Sequence, residues 1–127
     1  MGDALRNGRG QTMSFEGMAL MALADVPEDD ARGVTIRDGA KMRKFVVLRW
    51  KGETIVYRNR CPHAGTPLDW IPDRFFDRSG AFIFCATHGA SFEPDTGLCI
   101  DGPCVGDVLD RCKFTVDDGI VTLAEPL

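Results

Sequence analysis

Cys61-Pro62-His63-Ala64-Gly65-Thr66-Pro67-Leu68 and Cys85-Ala86-Thr87-His88-Gly89-Ala90-Ser91-Phe92 are built alike. Each stretch opens on a cysteine, places a histidine two or three positions later and runs on into small residues. The chain has only two histidines, and both lie here. Two thiols and two imidazoles make a complete four-ligand metal set. One or two intervening residues let both side chains of a pair reach the same centre. The small residues behind each pair let backbone N–H groups come close to a bound anion or sulfide.

Thiolate selects zinc or iron–sulfur, and imidazole suits zinc or iron. A structural Cys2His2 zinc site is therefore one reading. Fingers of that formula usually group the cysteines in one pair and the histidines in the other, whereas both pairs here are mixed. Mixed pairing fits a two-iron cluster better, with two cysteines on one iron and two histidines on the other. Two unconnected Cys/His pairs in a packed core are a third reading. Matched cysteines with glycine collars fit it poorly.

Around these stretches the chain reads as all-β, with short apolar runs between turn signals. Met18–Val26 reads as a first strand, broken by Pro27, and Gly33–Arg37 as a short second one. Arg43–Trp50 and Glu53–Asn59 flank Lys51-Gly52, a tight hairpin. Phe45-Val46-Val47-Leu48 and Ile55-Val56-Tyr57 have the β-branched and aromatic composition of buried strands. Residues 60–106 hold four of the five cysteines, both histidines and five of the seven prolines. Regular strands are scarce there, apart from Ala81–Cys85 and a stretch near Ser91–Glu93. A loop-rich segment of this kind needs a metal or cross-link to hold it. Strand patterning resumes at Val108–Val116, with Val108, Asp110, Cys112, Phe114 and Val116 on one face. Asp118-Gly119 is a turn and Ile120–Leu123 a last strand. The division that follows is a lead-in over 1–17 and one domain over 18–127, with a cluster-binding subdomain over about 60–106 inserted in a β base.

At 127 residues and net charge −4 this is one soluble globular domain by composition. An acidic chain is repelled by duplexes and anionic membranes, which argues against nucleic-acid and membrane partners. No run approaches the roughly 18 apolar residues of a membrane span, and Met18–Ala24 makes a poor signal peptide. A cytoplasmic protein is expected, and an odd number of cysteines fits no disulfide framework.

The two boxes resemble those of the Rieske 2Fe–2S family. Glu93-Pro94-Asp95-Thr96-Gly97 and then Gly102-Pro103 continue the resemblance, which covers roughly residues 18–125. It implies an antiparallel β-sandwich or barrel base. It also implies Cys61 and Cys85 as thiolate ligands of the inner iron, His63 and His88 as imidazole ligands of the outer iron, and Pro103 on a loop shielding the cluster. The gap from His63 to Cys85 is longer than the family's usual one. Trp70, Phe75 and Phe76 fill it, as a small core or as a docking patch.

Within the family, high-potential members carry an extra cysteine in each box and nearby Ser and Tyr hydroxyls. Thr66, Ala86 or Thr87, Ala90 and Phe92 stand at the corresponding positions here. A potential at the low end, on the order of −150 mV, is expected. The resemblance is to stand-alone ferredoxins of ring-oxygenase systems, which pass one electron from a reductase to an oxygenase. No histidine remains for a mononuclear iron site of the two-His-one-carboxylate kind or for a nucleophile–base pair, so no catalytic site of its own is expected. The alternatives are a regulatory or structural Rieske-like subunit, a redox sensor, and the zinc scaffold. Cys112 reads as a buried structural thiol. Cys99 and Cys104 flank the Pro103 loop, as two free thiols or as a pair open to oxidation.

Overall fold

The computed structural model describes residues 17–62, 65–69, 71–86 and 89–125. The lead-in expected over 1–17 lies outside them except for Gly17, whose N–H donates to Leu123 O at 2.8 Å. Among the described residues nine strands form three antiparallel sheets, an all-β architecture. The first sheet has the order β1 (Ala19–Ala22), β9 (Ile120–Leu123), β8 (Phe114–Asp117). The second runs β2 (Asp30–Asp38), β3 (Lys41–Trp50), β4 (Glu53–Arg58). The third runs β5 (Ile83–Cys85), β6 (Ala90–Phe92), β7 (Cys99–Asp101).

The middle sheet buries both of its faces. Val46 and Leu48 of β3, with Ile55 and Tyr57 of β4, join the core that contains Ile83, Cys85, Ala90 and Phe92. Phe45, Val47 and Val56, on the opposite face, pack with Leu20, Val121 and Leu123. Successive side chains of a strand point to opposite faces. An unbroken apolar run is therefore what a strand needs when both faces are covered. This is why Phe45–Leu48 and Ile55–Tyr57 show no polar alternation. Lys51 and Gly52 both adopt positive φ, 49° and 85°, in the two-residue β3–β4 hairpin. Asp118 and Gly119 do the same between β8 and β9, at 54° and 80°. Both pairs match the type I′ turn, whose twist suits a hairpin.

Several expected boundaries shift. The strand expected over Met18–Val26 ends at Ala22, and Leu23–Asp25 form a single 3-10 turn instead. The second strand is longer than Gly33–Arg37, because β2 pairs with β3 along its whole length from Asp30 to Asp38. The strand expected over Val108–Val116 is regular only from Phe114. Its buried members are Leu109 and Cys112, while Val108 is 52% and Val116 43% exposed, so no single face alternates. The stretch touches its neighbours at single points instead. Val108 bridges Leu98, Arg111 bridges Tyr57, and Cys112 N–H donates to Val56 O at 2.8 Å. It crosses from the third sheet along the edge of β4 before entering the first. Strand β7 was not anticipated, since Cys99-Ile100-Asp101 is too short to show a period.

Candidate metal centre

The first box leaves the end of β4 and is closed by a polar clip. Asn59 is buried, and its Oδ1 accepts the Leu68 N–H at 2.7 Å. Its Nδ2 donates to Asp69 Oδ1 at 2.8 Å, and its own N–H donates to Lys44 O at 2.9 Å. One side chain thus ties both ends of the loop that begins with Cys61. Inside it, Cys61 N–H donates to Thr66 O at 2.8 Å, and Gly65 N–H donates to Cys61 O at 2.7 Å.

The second box repeats the last of these contacts. Gly89 N–H donates to Cys85 O at 2.8 Å. Gly65 and Gly89 share a φ of 72°, a conformation that favours glycine. The two cysteines therefore stand at matching positions of matching turns. Ala86 N–H donates to Leu68 O at 3.4 Å, so the two box loops meet through their backbones. Cys61 and Cys85 are both fully buried and belong to one core. Buried thiols brought to one place by two turn-forming loops suit a soft metal or an iron–sulfur cluster.

The loop after β7 packs against the second box at Ala90. Pro103 lies on it, exposed, between Gly102 and Cys104. A Cβ on Gly102, at φ +98°, would come 2.7 Å from Ala90 Cα, so this loop lies flush on the strand that ends the second box. Cys104 is buried, and burial is the main cause that pushes its thiol up to about 12. The hydrogen bond to Cys99 and the charges of Cys99 and Cys61 push the same way. Cys104 belongs to the same buried core as Cys61 and Cys85.

His63 and His88, the expected imidazole ligands, lie outside the described residues, as does Trp70. Among the described residues no three His, Cys, Asp or Glu side chains group as a metal site.

Two residues with supporting roles were not read from the sequence. Asn59 is one; a polar side chain directly after an apolar strand was the available signal. Tyr57 is the other. It is fully buried, and its hydroxyl donates to Pro94 O at 2.8 Å, fixing the turn after β6. Burial pushes its hydroxyl up to about 12.

The segment between the boxes resolves towards its core reading. Phe75 is buried in the same core as Cys61 and Cys85. Its ring would stand 3.1 Å from a Cβ on Gly33. Phe76 stacks on Trp50 with ring centroids 5.4 Å apart. Asp73 Oδ1 accepts the Gly33 N–H at 2.7 Å and ties the segment to β2.

A family model described as the Rieske [2Fe-2S] domain matches residues 16–114. Among solved structures, the ferredoxin of Sphingomonas yanoikuyae B1 is 30% identical with a TM-score of 0.65, over 87% of this chain and 100% of that one. The ferredoxin of carbazole 1,9a-dioxygenase from Nocardioides aromaticivorans IC177 is 22% identical, with a TM-score of 0.62, over 86% of this chain and 97% of that one. A chain from the complex of reduced oxygenase and oxidized ferredoxin in carbazole 1,9a-dioxygenase is 22% identical. Its TM-score is 0.63, over 84% of this chain and 91% of that one. No curated protein matches the chain.

Proposed function

This chain belongs to the Rieske [2Fe-2S] family, and on that premise we propose that it carries single electrons from a reductase to an oxygenase-type acceptor. The cofactor is a Rieske-type 2Fe–2S cluster, which removes the zinc scaffold from consideration. The chain is a Rieske ferredoxin-like electron carrier. The observation that carries the finer reading is coverage. The whole of a 30%-identical ferredoxin is spanned by this fold, and the two histidines are taken up by the boxes, which leaves none for oxygen chemistry.

In this reading Cys61 and Cys85 hold the cluster through thiolates, and His63 and His88 hold it through imidazoles, within a cluster-binding subdomain over about 60–106. The buried thiols on matched turns fit that group. When bound, the cluster supplies one-electron uptake and release. The chain's own residues do the rest. Asn59 and the Gly65 and Gly89 turns fix the cysteines, and a site that moves little on reduction loses little energy to reorganisation. Phe75, Phe92 and Leu109 exclude water from the thiol side. The loop carrying Pro103 shields the remaining side. Neutral imidazoles leave less negative charge on iron than thiolates do, which raises the potential above that of four-Cys ferredoxins. The lack of extra box cysteines keeps it at the low end of the Rieske range, on the order of −150 mV.

Among the described residues no helix is long and apolar enough to cross a membrane. A cytoplasmic electron carrier without a catalytic site of its own is the form that this reading takes. The test is a stopped-flow experiment without oxygen. Pre-reduced protein mixed with an oxidised ring-hydroxylating oxygenase is reoxidised in well under a second. No transfer to any such oxygenase, with the cluster intact, would replace this reading by the regulatory-subunit one.

A further inference from the structure

Two thiols outside the expected ligand set meet beside the site. Cys99 opens β7, and Cys104 stands just after Pro103. Their Sγ atoms are 3.1 Å apart, with Cys104 donating to Cys99. The Cys99 thiol donates in turn to Asp101 O at 3.3 Å. Both side chains are buried. The contact is built by the backbone. Cys99 N–H donates to Asp107 O at 2.8 Å, Gly106 N–H to Cys99 O at 3.1 Å, and Asp107 N–H to Cys104 O at 2.9 Å. The turn between the cysteines is thus already closed, and it already lies flush on Ala90.

We propose that Cys99 and Cys104 are a two-electron dithiol–disulfide site, and that a peroxide converts them into a staple across the Pro103 loop. One sulfur attacks the O–O bond of hydrogen peroxide, forming a sulfenic acid and releasing water. The second sulfur attacks that sulfenic sulfur, forming the S–S bond and releasing a second water. Two S–H bonds and one O–O bond break, and two electrons pass from sulfur to peroxide. The sulfurs need to approach by only about 1 Å to reach disulfide length, so no refolding of the loop is required. Burial makes the attack slow, so the pair answers to sustained oxidant and not to a brief pulse. Once closed, the link stops the segment from Gly102 to Asp107 from lifting off β6, which holds the site shut. The thiol geometry does not depend on which partner the protein serves.

Cleavage before aspartate isolates the two thiols, with Cys99 in Asp95–Ile100 and Cys104 in Asp101–Gly106. Cluster-loaded protein is treated with hydrogen peroxide, denatured, alkylated, cleaved and weighed. The expected result is one linked species made of these two peptides, split by dithiothreitol. Cys61 and Cys85 are recovered alkylated, and the visible absorption of the treated protein is kept. Iron loss to a chelator is then severalfold slower in the linked form than in the reduced form. Cys99→Ser and, separately, Cys104→Ala give neither the link nor the slowing. The proposal is overturned if peroxide bleaches the cluster or oxidises Cys61 or Cys85 before the link forms. It is equally overturned if the link forms and iron release is unchanged. A preparation without iron would defeat the electron-carrier reading while leaving the peptide link measurable.

Discussion

Gly102 and Gly106 lie in one loop at almost the same left-handed φ, +98° and +97°. They differ in their surroundings. A Cβ on Gly102 would stand 2.7 Å from Ala90 Cα, and 3.2 Å from both Ala90 N and Gly89 O. A Cβ on Gly106 would meet nothing within 4 Å. Gly106→Ala therefore introduces backbone strain alone, worth about 1–2 kcal/mol. Gly102→Ala adds a clash against backbone, which cannot rotate away. The loop must retreat by about 0.7 Å, and overpacking of that kind costs a further 1–3 kcal/mol or so. The total is about 2–5 kcal/mol, or a fall in Tm of roughly 8–20 °C against roughly 4–8 °C for Gly106→Ala. Thermal unfolding followed by circular dichroism measures both. Iron loss to a chelator adds the functional readout, and Gly102→Ala should accelerate it more than Gly106→Ala does. Equal Tm losses in the two variants would refute the claim that the Pro103 loop is pressed against the strand that ends the second box.

Asn59→Ala orphans the Leu68 N–H and strips Asp69 Oδ1 of its amide donor, and should destabilise by about 2–3 kcal/mol; chemical denaturation of cluster-loaded protein measures it, and a loss under 0.5 kcal/mol would mean that the clip does not form. Tyr57, Cys104 and Cys112 all have raised pKa values, from 10 or 9 to about 12, with burial the largest cause in each. Their folded values exceed their unfolded ones, so the stability they contribute is complete below pH 9 and is lost as pH rises from 9 through 12. A denaturation series should stay flat up to about pH 8.5 and then fall. Cys112→Ala should flatten part of that fall, and an unchanged slope would contradict the burial of this thiol. Phe75→Ala opens a cavity in the core that holds Cys61 and Cys85, at a cost of about 3–5 kcal/mol. Cluster retention should fall with it; a retained cluster with slowed reduction alone would restore the docking-patch reading of the segment between the boxes.

The legible parts of the fold were those whose local signal matched their environment. Phe45–Leu48 and Ile55–Tyr57 announced buried strands because both faces of the middle sheet are covered. Lys51-Gly52 and Asp118-Gly119 announced hairpins because few residue pairs accept two positive φ values in succession. The stretch from Val108 to Cys112 misled because it borders two sheets in turn, and its burial follows single contacts and no strand period. The pairing of the box cysteines was legible as chemistry, since thiols and imidazoles are scarce enough for their spacing to stand out. The clip from Asn59 to Leu68 and Asp69 was not legible, because a hydrogen bond across nine or ten residues leaves no periodic trace. The approach of Cys104 to Cys99 is visible as a short spacing, but its 3.1 Å contact depends on a turn that only the folded backbone shows.

The central claim is a two-iron cluster held by two sulfurs on one side and two imidazoles on the other. With only two histidines in the chain, protein grown on ¹⁵N-histidine carries the label at His63 and His88 alone. Pulsed electron paramagnetic resonance of the reduced protein should then show two histidine nitrogens coupled to the cluster spin, with two iron and two sulfide per chain by analysis. A spectrum with no histidine coupling, or with only one, would contradict the account.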